Sequence, residues 1–86
     1  MKQRNGLQEL REAIPAGHPL LELYGDRRVL IEHHRGVIEY GRERIQVCAR
    51  YGQICICGSC LELAKMTSEQ LVITGRIDSV HLVRRQ

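Results

Sequence analysis

The fold of this chain is decided by residues 44–60, which read Arg44-Ile-Gln-Val-Cys-Ala-Arg50, then Tyr51-Gly52, then Gln53-Ile-Cys-Ile-Cys57, and finally Gly58-Ser59-Cys60. Apolar and polar residues alternate with a period of two in both arms. Gly52 can supply the positive φ that a tight turn requires. The stretch therefore predicts an antiparallel β-hairpin.

The length of the hairpin loop sets which residues oppose each other. A two-residue loop of Tyr51 and Gly52 places Cys48 opposite Cys55, while a longer loop is the alternative, because Tyr51 is a poor first turn residue. The alternation predicts a core face of Ile45, Val47, Ala49, Ile54 and Ile56, and an outward face of Gln46, Cys48, Arg50, Gln53, Cys55 and Cys57.

Length and composition predict one small domain with an aliphatic core. A chain of 86 residues buries roughly 60 to 65% of its unfolded surface and is only marginally stable, so association with a partner would help it. The chain has three Tyr and no Phe or Trp, so Val, Ile and Leu must form the core. Such a composition favours thin packed sheets.

Charge and cysteine usage indicate the environment. Thirteen basic residues and ten acidic residues are interleaved, giving a net charge of +3 without a basic stripe or aromatic faces, so nucleic acid is not an expected partner. No apolar run is long enough for a membrane span, and no signal-peptide core follows the first residues, which predicts a cytoplasmic protein. The four cysteines are then expected to be reduced.

Residues 1–19 are predicted to form an N-terminal arm that precedes a β domain at residues 20–86. Leu7, Leu10 and Ile14 recur at helical spacing, and Pro15 ends the pattern. The arm can therefore form a short amphipathic helix of about two turns, which needs tertiary packing for stability. Such a segment would either dock onto a partner or membrane surface, lie as a helix on the sheet of its own chain, or remain a frayed arm.

The β domain is predicted to be all-β: a small antiparallel β-sandwich or roll of about seven to eight short strands. Turn residues leave no room for crossover helices, so the pairing should be antiparallel. Gly75 lies within continuous apolar alternation, which indicates a bend or bulge there rather than a reversal. The predicted strands are residues 20–24, 28–32, 37–40, 44–50, 53–57, 61–65, 71–74 and 77–83.

Residues 20 to 82 contain, in this order, the runs LELYGDRRVLIEHHRGVIEY, RIQV, LEL and MTSEQLVITGRIDSV. This order of residues resembles that of the YabP/YqfC family of small sporulation proteins, and is closer to its YqfC branch. Its most specific pieces are Ile31-Glu32, His34-Arg35-Gly36 and the run from Leu71 to Val80.

The resemblance implies a β-rich protein that is not an enzyme and brings no catalytic residues or cofactor. It implies a structural, assembly or docking module, made in the mother cell, that acts at the developing forespore envelope. The expected partner is an envelope protein or a second copy of the chain, with no small-molecule substrate, and peripheral association with the forespore membrane is an option. The chain departs from the family at four cysteines: Cys48, Cys55, Cys57 and Cys60.

These cysteines suggest an alternative function as a zinc-binding or redox module. Cys48, Cys55 and Cys57 share one face in the predicted register, and Cys60 follows in a C-G-S-C turn that could complete a set of four ligands. A single turn of this type is weakly specific. The more ordinary interpretation is that the four are small, semi-apolar side chains at tolerant surface positions.

The motif His33-His34-Arg35-Gly36 is the second candidate site. Adjacent histidines in an extended chain point to opposite faces, so they would not chelate one ion together. A tight structural connection with Gly36 at positive φ is one interpretation. The other is a contact loop for a partner, in which His34, Arg35 and Gly36 take part and Arg35 is the charged anchor.

Overall fold

A computed structural model describes residues 6–85, apart from the side chain of Leu7. One short helix precedes six strands. The elements are α1 (Gly6–Glu12), β1 (Leu20–Tyr24), β2 (Arg28–Glu32), β3 (Val37–Tyr40), β4 (Arg44–Ala49), β5 (Gly52–Met66) and β6 (Gln70–Arg84).

All six strands belong to one antiparallel sheet in the order β1-β2-β6-β5-β4-β3. The two central strands, β5 and β6, are 15 residues long and form a hairpin along most of their length. β4 pairs with the first half of β5, at residues 52–57. β2 pairs with the first half of β6, at residues 70–74. The predicted all-β fold is therefore confirmed.

The eight predicted strand segments form six strands, because two pairs of segments are continuous. Segments 53–57 and 61–65 both lie in β5, and segments 71–74 and 77–83 both lie in β6. The turn expected at Gly58 and Ser59 is wrong, since the strand continues there through register shifts. At Gly75 the strand also continues, as the alternation predicts. Bulges of this type interrupt the ladder without reversing the chain.

Two glycines allow β5 and β6 to approach each other closely where these shifts occur. A Cβ atom on Gly75, which has a φ of 132°, would lie 2.5 Å from the carbonyl oxygen of Cys60. A Cβ atom on Gly58 would overlap the carbonyl oxygen of Arg76 and lie 2.9 Å from its carbonyl carbon. Neither position accepts a side chain without a backbone shift.

The central hairpin thus carries two half-sheets: β1 and β2 extend the sheet on the β6 side, and β3 and β4 extend it on the β5 side. The inner faces of these half-sheets share one core. Two hydrogen bonds join the central hairpin to the turns of the two halves. Leu61 N–H donates to Arg42 O, in the turn between β3 and β4, over 2.8 Å, and Ile77 N–H donates to Asp26 O, in the turn between β1 and β2, over 2.7 Å. Face-to-face packing of sheets across about 10 Å suits aliphatic side chains of this size. The core residues are Val29, Ile31, Ile45, Val47, Ala49, Ile54, Ile56, Leu61, Leu71, Ile73 and Ile77.

The register of the β4–β5 hairpin differs by two residues from the one that a Tyr51-Gly52 loop predicts. Ala49 lies opposite Gly52, so the loop consists of Arg50 and Tyr51. Gly52 has a positive φ of 153° but is the first residue of the strand. A shift of two preserves the face of every side chain, because side chains alternate with a period of two. The predicted core face is therefore retained.

The N-terminal helix lies on the sheet of its own chain. The guanidinium of Arg11 forms ion pairs with Glu22 on β1 and, over 3.2 Å, with Glu32 on β2. Tyr24 donates a hydrogen bond to Glu22, and this bond and the charge of Arg11 hold the pKa of Glu22 below its usual value. Leu10 stays exposed, and the side chain of Leu7, another apolar position of the predicted helix, lies outside what the structure describes.

The close approach at Gly58 predicts the effect of adding one methyl group there. Gly58→Ala should lower the free energy of unfolding by about 2 kcal/mol or more, because the backbone of β5 or β6 must move. Gly6→Ala is the matched control, since a Cβ atom at Gly6 meets nothing within 4 Å. Urea unfolding followed by circular dichroism measures both. Equal stability of the two variants would contradict the close approach.

Candidate functional site

The side chains of β4, β5 and β6 that point away from the core form a surface that we call the outer cysteine face. It comprises Gln46, Cys48, Gln53, Cys55, Cys57, Ser79 and His81, as the strand register requires. The opposite side chains of the same strands are the buried aliphatic ones. The predicted separation of thiols from aliphatic side chains is therefore correct for Cys48, Cys55 and Cys57.

Two of the thiols on this face lie close together. Cys55 Sγ and Cys57 Sγ are 3.7 Å apart, and Arg44 Nε donates a hydrogen bond to Cys55 Sγ over 3.2 Å. Cys55 lies between Gln46 on β4 and His81 on β6, and it is only 5% exposed. The centre of the face is thus covered by its own neighbours.

The other two cysteines do not join this pair. Cys48 lies opposite Gln53 rather than Cys55, as a consequence of the two-residue shift. Cys60 is exposed and has a φ of 52°, within the irregular part of β5 and not in a turn. Within residues 6–85, no three His, Cys, Asp or Glu side chains are grouped so that they could hold a metal ion. The structure therefore does not bring the four cysteines together, and the zinc site stays a prediction.

Burial alters the chemistry of Cys57. Burial, followed by the hydrogen bond with Cys55, raises the pKa of the Cys57 thiol. A raised pKa keeps the thiol protonated at neutral pH and reduces the fraction of the nucleophilic thiolate. Cys57 is thus a weaker nucleophile than an ordinary exposed cysteine, and its reactivity should increase as the pH rises.

This geometry predicts an order of reaction with iodoacetamide at pH 7.5. Cys60 should react first because it is exposed. Cys57 should react roughly tenfold more slowly because it is half-buried and its pKa is raised, and Cys55 should react last because it is buried. Timed quenching and peptide mass spectrometry give the rate at each position. The unfolded chain in urea is the control, in which the rates should converge. Cys55 or Cys57 reacting as fast as Cys60 in the folded chain would contradict the arrangement.

The 33–36 loop connects the two half-sheets. His33 N–H donates to Glu69 O over 2.7 Å, at the turn between β5 and β6. On its other side, Arg35 N–H donates to Cys48 O and Cys48 N–H donates to Gly36 O, each over 2.8 Å. The loop is therefore bonded to β4 and to the far end of the central hairpin. Gly36 has a φ of 106°, as expected for a tight connection.

His34 is the buried centre of this loop, with 8% exposure. Its Nε2 donates to Thr67 O over 2.7 Å, and its Nδ1 accepts a hydrogen bond from Gly36 N–H over 2.9 Å. A carbonyl only accepts and a backbone N–H only donates, so the partners assign the proton to Nε2. His33 is exposed, and Arg35 is the exposed charged member of the motif. A contact role for this loop stays a prediction. Because His34 is buried, Arg35 is the charged side chain of the motif that can contact a partner.

The two bonds of His34 predict a large effect of its removal. His34→Ala should lower the free energy of unfolding by about 1–3 kcal/mol, because it removes two hydrogen bonds and a buried ring. His33→Asn is the control and should change stability by less than about 0.5 kcal/mol, since Asn tolerates the positive φ of that exposed position. Chemical denaturation compares them. Similar losses for both variants would contradict the structural role of His34.

Exposed apolar side chains collect on three strands that have an unpaired side. Of eight large apolar side chains that are at least half exposed in the described range, six lie on β1, β3 and the second half of β6. The sequence alternation marks these positions as strand but does not show which strands are at an edge. The six are Leu23, Tyr24, Ile38, Tyr40, Leu82 and Val83.

Comparison with known proteins places this fold in a family. The model of the YabP family matches residues 16–86. The chain belongs to the YabP family. It is 26% identical over 65 residues to the uncharacterized protein YqfC of Bacillus subtilis (strain 168), an alignment that covers 76% of this chain and 70% of that protein. The predicted resemblance to the YabP/YqfC family is confirmed. No solved structure matches the chain.

The described helix content of this family member is small. Among residues 6–85, no helix has the length and apolar character needed to cross a bilayer. The one described helix, α1, has seven residues.

Proposed function

We propose that this YabP family member is a non-enzymatic structural or assembly module of endospore formation, which acts in the mother cell at the developing forespore envelope. The observation that carries the proposal is the concentration of exposed apolar side chains on strands with a free edge. The resemblance to small sporulation proteins supplies the biological setting.

Strand edges are where a sheet protein can bind another protein with its backbone. A strand with one unpaired side presents N–H and C=O groups that can accept a further strand. β1 and β3 are the outer strands of the sheet order, and each carries two of the exposed apolar side chains. Apolar side chains at such positions gain from burial against a partner. The partner class that this surface suits is a protein rather than a small molecule or a nucleic acid.

The 33–36 loop extends this surface at one end of β3. Its backbone is held by bonds on both sides, which fixes the position of the Arg35 backbone. An exposed arginine at such a position is well suited to a charge-assisted bond with a carboxylate of a partner. Envelope proteins with acidic segments are therefore suitable partners, and peripheral attachment to the forespore membrane would follow from such a partner.

The proposal is tested by deleting the gene in the organism that encodes it and counting heat-resistant spores. We expect a loss of spores that the intact gene restores, and a fluorescent fusion that collects around the forespore. A variant with Ser at Cys48, Cys55, Cys57 and Cys60 should restore spores equally, because the function does not use the thiols. Normal spore counts after deletion would overturn the proposal.

A pair of adjacent substitutions on β3 examines the role of the edge itself. Ile38→Lys places a charge at an exposed apolar position and should restore fewer spores than the intact gene. Glu39→Gln is the matched control on the same strand and should restore spores fully, since it leaves the apolar surface unchanged. Full restoration by Ile38→Lys would remove this edge from the proposed contact surface.

A further inference from the structure

The second half of β6 is an unprotected strand edge. β2 pairs with β6 only at residues 70–74, and beyond Ile77 the described strand partners of β6 lie on β5 alone. Residues 78–84 therefore have one open side, which we call the free β6 edge. β1 and β3 are short, with five and four residues, whereas this edge has the length of a complete strand.

The direction of the backbone groups follows from the register. Arg85 N–H donates to Tyr51 O over 2.7 Å, and Arg84 is the Cα partner of Gly52. In an antiparallel ladder such bonding alternates, so His81 and Val83 bond to β5 while Val80, Leu82 and Arg84 direct N–H and C=O to the open side. Within residues 6–85, no strand receives these outward groups.

The side chains along this edge do not discourage pairing. Proteins commonly protect an exposed edge with Pro, Lys or a central bulge. Residues 79–84 contain neither Pro nor Lys, and the register shift of β6 lies before them, between Ile77 and Ser79. Leu82 is 59% exposed in the single chain. An apolar strand edge of this type is suited to accept another strand.

We propose that the free β6 edge pairs with the same edge of a second copy of this chain, antiparallel and centred on His81. The segment reads Asp78-Ser-Val-His-Leu-Val-Arg84, and Arg85 follows. Pairing about His81 places Val80 opposite Leu82 of the second copy. It also places Asp78, which lies 3.6 Å from Arg76 Nε of its own chain at an exposed position, opposite Arg84 of the other copy. In this register the two ends of the segment are therefore complementary in charge.

The outward backbone groups are compatible with this register, and the charges of Asp78 and Arg84 favour it over the alternatives. Val80 and Leu82 both direct their backbone groups outward, so each can form a bonded pair with the other residue of the second copy. Registers centred on Val80 or Leu82 also satisfy the backbone. They place Asp78 opposite Leu82 or Gln86 instead of Arg84, so the opposite charges are separated. Opposite charges across a strand pair stabilise it, and like charges destabilise it.

The size of the contact sets the expected affinity. The two pairs of Val80 with Leu82 form four backbone hydrogen bonds between the copies, and the pairs of Arg84 with Asp78 extend the contact at both ends. Its buried area is below the roughly 1,000 Å² of stable complexes, so we expect a reversible dimer with a dissociation constant in the micromolar range or weaker. The inference deepens the proposed assembly function and rests on it, since it names the second copy as one partner of the strand edges.

The test measures self-association by sedimentation equilibrium of the full chain from about 10 μM to 1 mM, a range that spans the expected affinity. Asp78→Arg and Arg84→Asp should each weaken dimerisation roughly tenfold, because each brings like charges together. An equimolar mixture of the two variants should regain the affinity of the parent chain, since every introduced charge then meets its opposite. Circular dichroism verifies that both variants fold.

Leu82→Pro provides an independent variant. The N–H of Leu82 points to the open side, so proline removes that N–H without removing a bond to β5. An edge strand accepts proline at such a position. It should abolish dimerisation while the fold is kept.

A parent chain that stays monomeric at 1 mM would overturn the inference, as would single variants or a folded Leu82→Pro chain that dimerises like the parent. A mixture that stays weak would overturn the His81-centred register. Failure of the proposed function is distinguishable, since it would appear as normal spore counts after gene deletion.

Discussion

The close approach of β5 and β6 at Gly58 and Gly75 is the constraint on which the rest of the structure depends. Side chains at either position would push the two backbones apart. Because the two strands continue through this region, one hairpin serves both half-sheets. The bonds from Leu61 to Arg42 and from Ile77 to Asp26 then hold the two short turns against the hairpin. An aliphatic core without Phe or Trp is sufficient for the thin space between the halves.

The same constraint determines what the molecule presents to its surroundings. Since the hairpin crosses from one half-sheet to the other, the second half of β6 extends beyond β2 and has one open side. The outer cysteine face lies on the same half-sheet, but its centre is covered by Arg44, Gln46 and His81. His34 bonds the 33–36 loop to the far end of the hairpin and leaves Arg35 exposed. Contacts with other proteins therefore concentrate at edges and loop ends.

Local alternation was sufficient to predict strand positions, the buried aliphatic residues and the outward direction of Cys48, Cys55 and Cys57. It could not fix the hairpin register, because a shift by two residues leaves every side chain on the same face. It indicated a bend or bulge at Gly75, but it could not show that Gly58 lies within a continuous strand, since glycine occurs in turns as well as in bulges. The zinc prediction depended on both of these features, and it stays a prediction, because the structure brings only Cys55 and Cys57 close together.

Features that depend on contacts distant in sequence were not predictable. The pairing of β2 with β6, and so the open edge of residues 78–84, joins segments separated by about 40 residues, which no local pattern reports. The bonds of His34 to Thr67 and Gly36 likewise follow from the fold. The order of residues nevertheless identified the family, because the resemblance extends over the whole strand-rich part.

Residue-resolved hydrogen exchange at the Leu61 and Ile77 amides tests most directly whether the central hairpin closes the two halves. Both amides donate bonds that connect the hairpin to the turns of the opposite half. If the closed fold is correct, both should exchange only through openings whose free energy approaches that of global unfolding. Exchange of either amide at the rate of an unprotected loop would show that the halves are not closed in this way.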